Sequence, residues 1–167
     1  MKNTKKDMGG KNSSESKEGV DHLLLLGRGS EFVKYYCKNI LVNGDFLTGK
    51  IGNIQVWSYL NVDNHVQLQV KHWNYLLIIL KGIKLAMLCF DQTEDLLSHD
   101  MKHYITSLYG LKPFSDLIIL SNNILSQKMV ANLNYVTYLW YPNRIFKIWT
   151  VNLSKRSNDL IKHIKTL

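Results

Sequence analysis

The stretch whose spacing comes closest to a known chemistry is Gly44-Asp45-Phe46-Leu47-Thr48-Gly49-Lys50-Ile51. It matches the G-x-x-x-x-G-K portion of a P-loop, in which backbone amides cradle phosphates and the lysine reaches the terminal ones. The next position needs a serine or threonine hydroxyl to hold magnesium, and Ile51 stands there. Apolar Ile40–Val42 precedes the motif, and a later apolar run ends at Asp91, where a second magnesium ligand would sit. Without the hydroxyl, and with no base-reading motif downstream, these residues read as a glycine-containing loop. A degenerate P-loop nucleotide-binding protein, a GTPase for example, is kept as an alternative.

Other groupings give less. His99 and His103 stand i, i+4 about Asp100, a faint echo of a zinc helix. At about 100° per residue they project away from an apolar stripe and toward solvent, with no third ligand in reach. His72 and Trp73 read as turn residues. No Ser–His–acid or Cys–His arrangement follows from spacing, and the 13 acidic residues form no catalytic pair. No catalytic residue, metal ligand or cofactor is therefore expected. Near the C-terminus, WYPNRIFKIWTVNLSKR interleaves aromatics with Arg144, Lys147, Lys155 and Arg156. Such a stretch can stack on and track a single-stranded nucleic acid. An amphipathic strand with one core face shows the same alternation, so a basic nucleic-acid-binding protein is a second alternative.

Elements must position whatever residues act. Val66 to Phe90 reads as three strands: VQLQVKH with period-two alternation, a turn at Trp73-Asn74, YLLIIL, a turn at Lys81-Gly82, and IKLAMLCF. The last two are apolar enough to be covered on both faces. A helix follows, capped by Thr93 with Glu94 and Asp95 in its first turn, and carrying the stripe Leu97, Met101, Tyr104, Ile105 and Leu108. Gly110 and Pro113 stop it. Upstream, Asp21–Tyr36 reads as a hairpin turning at Gly27-Arg28-Gly29, and Ile51 to Leu60 as a short helix. Downstream, Asp116–Asn132 reads as helical. YVTYLWY and RIFKIWTVN then form a hairpin about Pro142-Asn143, and a last helix, capped by Ser157, carries Leu160, Ile161, Ile164 and Leu167.

Composition sets the outer limits. The chain has 167 residues, 46% of them hydrophobic and 11% aromatic, which is enough for a true core. Its net charge of +8 favours an acidic partner, whether nucleic acid or an anionic membrane. Cys37 and Cys89 are the only cysteines and form no CxxC pair, as expected of a reducing compartment. Residues 1–20 are rich in lysine, serine and glycine and read as a disordered tail without the apolar core of a signal peptide. No apolar run reaches the roughly 20 residues needed to span a bilayer, so membrane contact is expected to be peripheral.

In order, these elements are two strands, a short helix, a three-stranded meander and a long helix, which resembles the longin fold of vesicle-trafficking proteins. The closer similarity is to the Mon/SAND family of vacuolar fusion proteins. It is carried by LLLLGRGSEFVKYY, IGNIQVWSYLNVDNHVQLQV, YLLIILKGIKLAMLCFDQTEDLLSHDMKHYITSLYGL and LNYVTYLWYPNRIFKIWTVNLSKRSNDLIKHI. The resemblance covers about residues 21–167 and lacks most of a second longin domain and all of a third. It implies an α+β fold: a longin-like five-stranded antiparallel sheet between helices, followed by a β-hairpin plus helix resembling the start of a second longin domain. The expected divisions are a 1–20 tail, a 21–133 longin-like domain and a 134–167 partial unit. The resemblance also implies a non-enzymatic docking subunit of a Rab guanine-nucleotide exchange complex, cytoplasmic and peripheral to endosome or vacuole membranes. Its partners would be a Ccz-type longin protein and a late-endosomal Rab GTPase. The residues expected to meet such a partner are Ile54, Trp57 and Tyr59, since tryptophan and tyrosine dominate interface energetics. Lys34, Lys38 and Lys50 would face an anionic membrane.

Overall fold

A computed structural model describes residues 20–60, 66–91, 98–121, 127–153 and 156–166. The expected tail at 1–19, the cap at Thr93 with its acidic first turn, Leu97 and Leu167 lie outside the described residues.

The fold is organised by β1 (Asp21–Gly27), whose four leucines, Leu23 to Leu26, are buried on both faces. A strand buried that way belongs in the middle of a sheet. It is flanked in parallel by β4 (Ile54–Tyr59) and β5 (Ile83–Asp91). Outside β4 come β3 (Phe46–Ile51) and the edge strand β2 (Lys38–Asn43), both antiparallel to their neighbours. Outside β5 come β6 (Asp116–Ser121) and β7 (Lys147–Asn152), both parallel. The result is one mixed seven-stranded sheet ordered β2-β3-β4-β1-β5-β6-β7. A five-stranded antiparallel sheet is not what forms.

Five helices lie among the described residues: α1 (Ser30–Tyr36), α2 (Val66–Ile79), α3 (His99–Leu111), α4 (Gln127–Trp140) and α5 (Asn158–Lys165). They cover both faces, because parallel strands need crossovers and the crossovers here are helices. On one face, Trp73 and Leu76 of α2, Met101, Tyr104, Ile105 and Leu108 of α3 and Leu133 of α4 pack against Leu24, Leu26, Leu88 and Phe90. On the other, Phe32, Val33 and Tyr36 of α1 and Leu160, Ile161 and Ile164 of α5 pack against Leu23, Leu25, Met87 and Cys89.

Several expectations are corrected by this layout. Val66–Ile79 is one helix, not two strands of a meander: Gln69, Trp73 and Leu76 turn inward at helical spacing, and Tyr104 donates its hydroxyl to the buried Gln69 Oε1 at 3.2 Å. Ser30–Tyr36 is a helix, not the second arm of a hairpin. Phe32 and Tyr36, one turn apart, stack at 4.7 Å on the sheet. Ile51–Leu60 is not a short helix, since strand β4 fills most of it. The glycines at 44 and 52 each take φ of 60° at the first place of a two-residue turn, the Gly-X pattern of tight hairpins. Asp116–Ser121 is a strand and Tyr135–Trp140 is helical, so no hairpin precedes the Pro142-Asn143 turn. The boundary expected at 133/134 falls inside α4, while β7 and α5 join the same sheet and core. The stripe of α3 and the Ser157 cap of α5, whose Oγ accepts from Leu160 N at 3.5 Å, are where the sequence puts them. The observed cap of α3 is Ser98, which accepts from Met101 N at 3.0 Å.

Candidate functional site

From β1 the chain moves through α1 to one side of the sheet; after β4 it crosses back and builds the other side from β5 outward. The strand order therefore reverses at β1/β5, and the crevice outside the carboxyl ends of those strands is where open sheets of this kind hold ligands. Here that crevice is a hollow of about 180 Å³ lined by Arg28, Ser30, Lys34, Tyr59 and Asp91, among others. Strand, glycine turn and helix also come in the order of a phosphate-binding motif.

The turn between them is closed. Gly27 takes φ of 90°, and a Cβ on it would lie 2.5 Å from the Cys89 carbonyl oxygen. A Cβ on Gly29 would lie 2.6 Å from Leu25 Cβ. The Arg28 amide, which a phosphate would need, donates to the Cys89 carbonyl at 3.2 Å. Ser30 stands at the start of the helix, but its hydroxyl donates to the Tyr59 carbonyl at 3.2 Å. Both glycines thus serve close packing of the turn on the sheet rather than room for a phosphate. These residues do not fit a nucleotide. The signal for this turn was present in LLLLGRGS followed by Phe32, Val33 and Tyr36, and the hairpin reading concealed it.

The sequence motif at Gly44–Ile51 is unrelated to this crevice. It forms the β2–β3 turn and strand β3, with β4 between β3 and β1, and a Cβ on Gly49 would lie 2.5 Å from Cys37 Cβ. Ile54, Trp57 and Tyr59 all lie on β4 with buried side chains. Trp57 donates its indole N–H to His22 Nδ1 at 3.0 Å, and Phe46 meets both Trp57 and Tyr59 edge-on. Burial of His22 lowers its pKa, against a smaller opposing effect of Asp21. Trp57 and Tyr59 thus pack with Phe46 in the core of the molecule.

Neither thiol is poised for chemistry. Burial pushes Cys37 up to about 12, only partly offset by Arg156, and raises the enclosed Cys89 further. His99 and His103 are exposed on α3, and no group of three potential metal ligands occurs among the described residues. The C-terminal aromatics are already engaged. Lys147 lies 4.4 Å from the centroid of Trp149, whose indole N–H donates to Asp116 at 3.0 Å, and Arg144 sits over Tyr109 and Phe146. They support strand β7 and do not form a row of open rings.

The least satisfied surface is the β2 edge. All six residues of β2 are exposed, with Leu41 at 65% and Val42 at 68%. Among the described residues no strand lies beside its outer side. Asn39 at φ 55° and a register shift between Lys38 and Leu41 leave Ile40–Asn43 as the regular part. Next to it, the His72 ring pairs with Asp45 of the β2–β3 turn at 2.8 Å. That contact ties α2, with Leu68, Tyr75, Ile78 and Ile79 exposed, to the same end of the sheet. Among known proteins, no family model matches the chain and no curated protein matches it. Among the described residues no helix is long and apolar enough to cross a membrane.

Proposed function

We propose that this chain is a protein-docking module, built on a scaffold of the nucleotide-binding kind whose phosphate turn has closed, and that it captures an extended segment of a partner along β2. The scaffold part is a fold-level analogy. The observation that carries the docking part is the uncovered apolar edge Ile40-Leu41-Val42. An open strand presents unpaired amides and carbonyls, and soluble proteins blunt such edges unless something pairs with them. Adding a strand there supplies main-chain hydrogen bonds for affinity, with alternate side chains for specificity. A role in vesicle traffic, with a Ccz-type or Rab partner, belongs to the same proposal. The edge strand would give such a partner its docking surface.

The test places a photo-crosslinking residue at Val42 in cells and, as a control, at Lys102. A discrete adduct from position 42, absent at 102 and lost on Leu41→Lys, is the expected result. No adduct from position 42 would refute the docking reading. Magnesium-GTP and magnesium-ATP should leave Tm unchanged. A ligand at a hundred times its Kd stabilises by about 2.7 kcal/mol, so a clear rise would return the crevice to nucleotide binding.

A further inference from the structure

On the face that carries α1 and α5, a second hollow of about 270 Å³ is lined by Tyr36, Lys38, Asn39, Lys50 and Arg156, with Lys165 at its rim. Four cations from β2, β3, the approach to α5 and its last turn meet there, and among the described residues no carboxylate lines it. Lys38 and Lys50 are cross-strand partners, an arrangement that like charges make unfavourable. Among the described residues none of these four cations is paired with an acid.

The arrangement is partly fixed in advance. Arg156 donates from Nη2 to the Tyr36 carbonyl at 3.3 Å and lies 5.6 Å from the centroid of the Tyr36 ring. The Tyr36 hydroxyl accepts from Ser157 N at 3.0 Å, holding the approach to α5 against α1. The Lys165 Cε would stand 3.7 Å from a Cβ on Gly52, so the lysine stem lies over the β3–β4 turn. Held repulsion among cations, relieved when an anion enters, is the electrostatic form of a preorganised site.

We infer that this hollow binds a polyphosphorylated anion, the chemistry shared by a phosphoinositide headgroup and a free inositol polyphosphate. A nucleic-acid track would need a row of open aromatic faces beside the charge. Here the one ring, Tyr36, is stacked on Phe32 and covered by Arg156.

The test uses inositol hexakisphosphate in titration calorimetry at two salt concentrations, and flotation with vesicles containing phosphatidylinositol bisphosphate or phosphatidylserine at equal charge. Lys38→Gln with Lys165→Gln is the informative variant, because both side chains are exposed and their loss leaves the Arg156–Tyr36 packing intact. Wild type should bind the hexakisphosphate more weakly as salt rises. The double variant should lose about tenfold in affinity, as expected for two charges near a multivalent anion. Lys102→Gln, on the opposite face of the sheet, should change nothing. Capture by phosphoinositide vesicles together with weak binding of the soluble probe assigns the anion to lipid, and strong soluble binding assigns it to a free polyphosphate. No binding of either probe, an equal loss in Lys102→Gln, or tighter binding of an oligothymidylate through the same lysines would overturn the inference.

Discussion

Replacing Trp73 separates the helix seen here from the turn that the sequence suggests. The indole is 0% exposed and sits 4.8 Å from the Phe46 ring, among side chains of β1, β4 and α3. Truncating such a residue to alanine costs about 3–5 kcal/mol through lost contact and cavity formation. One term opposes this. Among the described residues the Trp73 indole N–H has no hydrogen-bond partner, and an orphan buried donor already costs the native state about 1–3 kcal/mol. Setting the lower end of that cost against the truncation loss, Trp73→Ala should lose a net 2–4 kcal/mol, roughly, which at about 2–4 °C per kcal/mol for a chain of this size lowers Tm by about 4–16 °C. Trp73→Phe removes the orphan donor but keeps most of the ring, and should fall within about 1 kcal/mol of wild type. Urea and thermal unfolding of the two variants measure both numbers. A loss below about 1 kcal/mol in Trp73→Ala is what an exposed turn residue gives, and would refute both the helix and its register.

Further outcomes follow from the same coordinates. Asp116 is buried and accepts at one oxygen from both Trp149 Nε1 and His163 Nε2, at 3.0 and 2.9 Å; Asp116→Asn should cost about 1–3 kcal/mol in urea unfolding, and an unchanged midpoint would show the network to be idle. His22 has its pKa lowered by burial. The stability it contributes is present above its ordinary value of 6.5 and is lost as pH falls through its folded value. His22→Gln should flatten that acid limb in stability–pH curves, and an identical slope would clear His22 of the effect. Cys37, raised to about 12 by burial, should label slowly with a thiol reagent at pH 8 in the native protein and fast in urea. Its contribution to stability is full below the unfolded value near 9 and fades as pH climbs toward about 12. Fast native labelling at Cys37 would contradict its enclosure.

What could be read from the chain alone depended on how local the signal was. Strands β1, β5 and β7, the α3 stripe and the Ser157 cap are written in runs and caps that need no distant partner. Helix α2 is not, because it is apolar outside as well as inside: Tyr75, Ile78 and Ile79 are exposed while the polar Gln69 is buried. That inversion hides the helical face and lets VQLQVKH pass for an alternating strand. Helix α1 is only seven residues long, too short for periodicity to separate it from a strand. The parallel order of the sheet pairs Leu24 with Trp57 on one side and Ala86 on the other, which no local pattern encodes. The candidate sites follow the same rule. Ile54, Trp57 and Tyr59 are the aromatic-rich residues that sequence reasoning favours for an interface, and the sheet uses them as core. The cations of the basic hollow come from segments far apart in the chain, so only the fold brings them together.

The central place of β1 has a consequence for synthesis. Its four consecutive leucines are made before the strands that sheathe them, which lie around Trp57 and Ala86. Until translation has passed β5, β1 lacks one of the two strands that flank it in the sheet. Pausing or truncation ahead of Asp91 should therefore leave apolar strand surface open to aggregation.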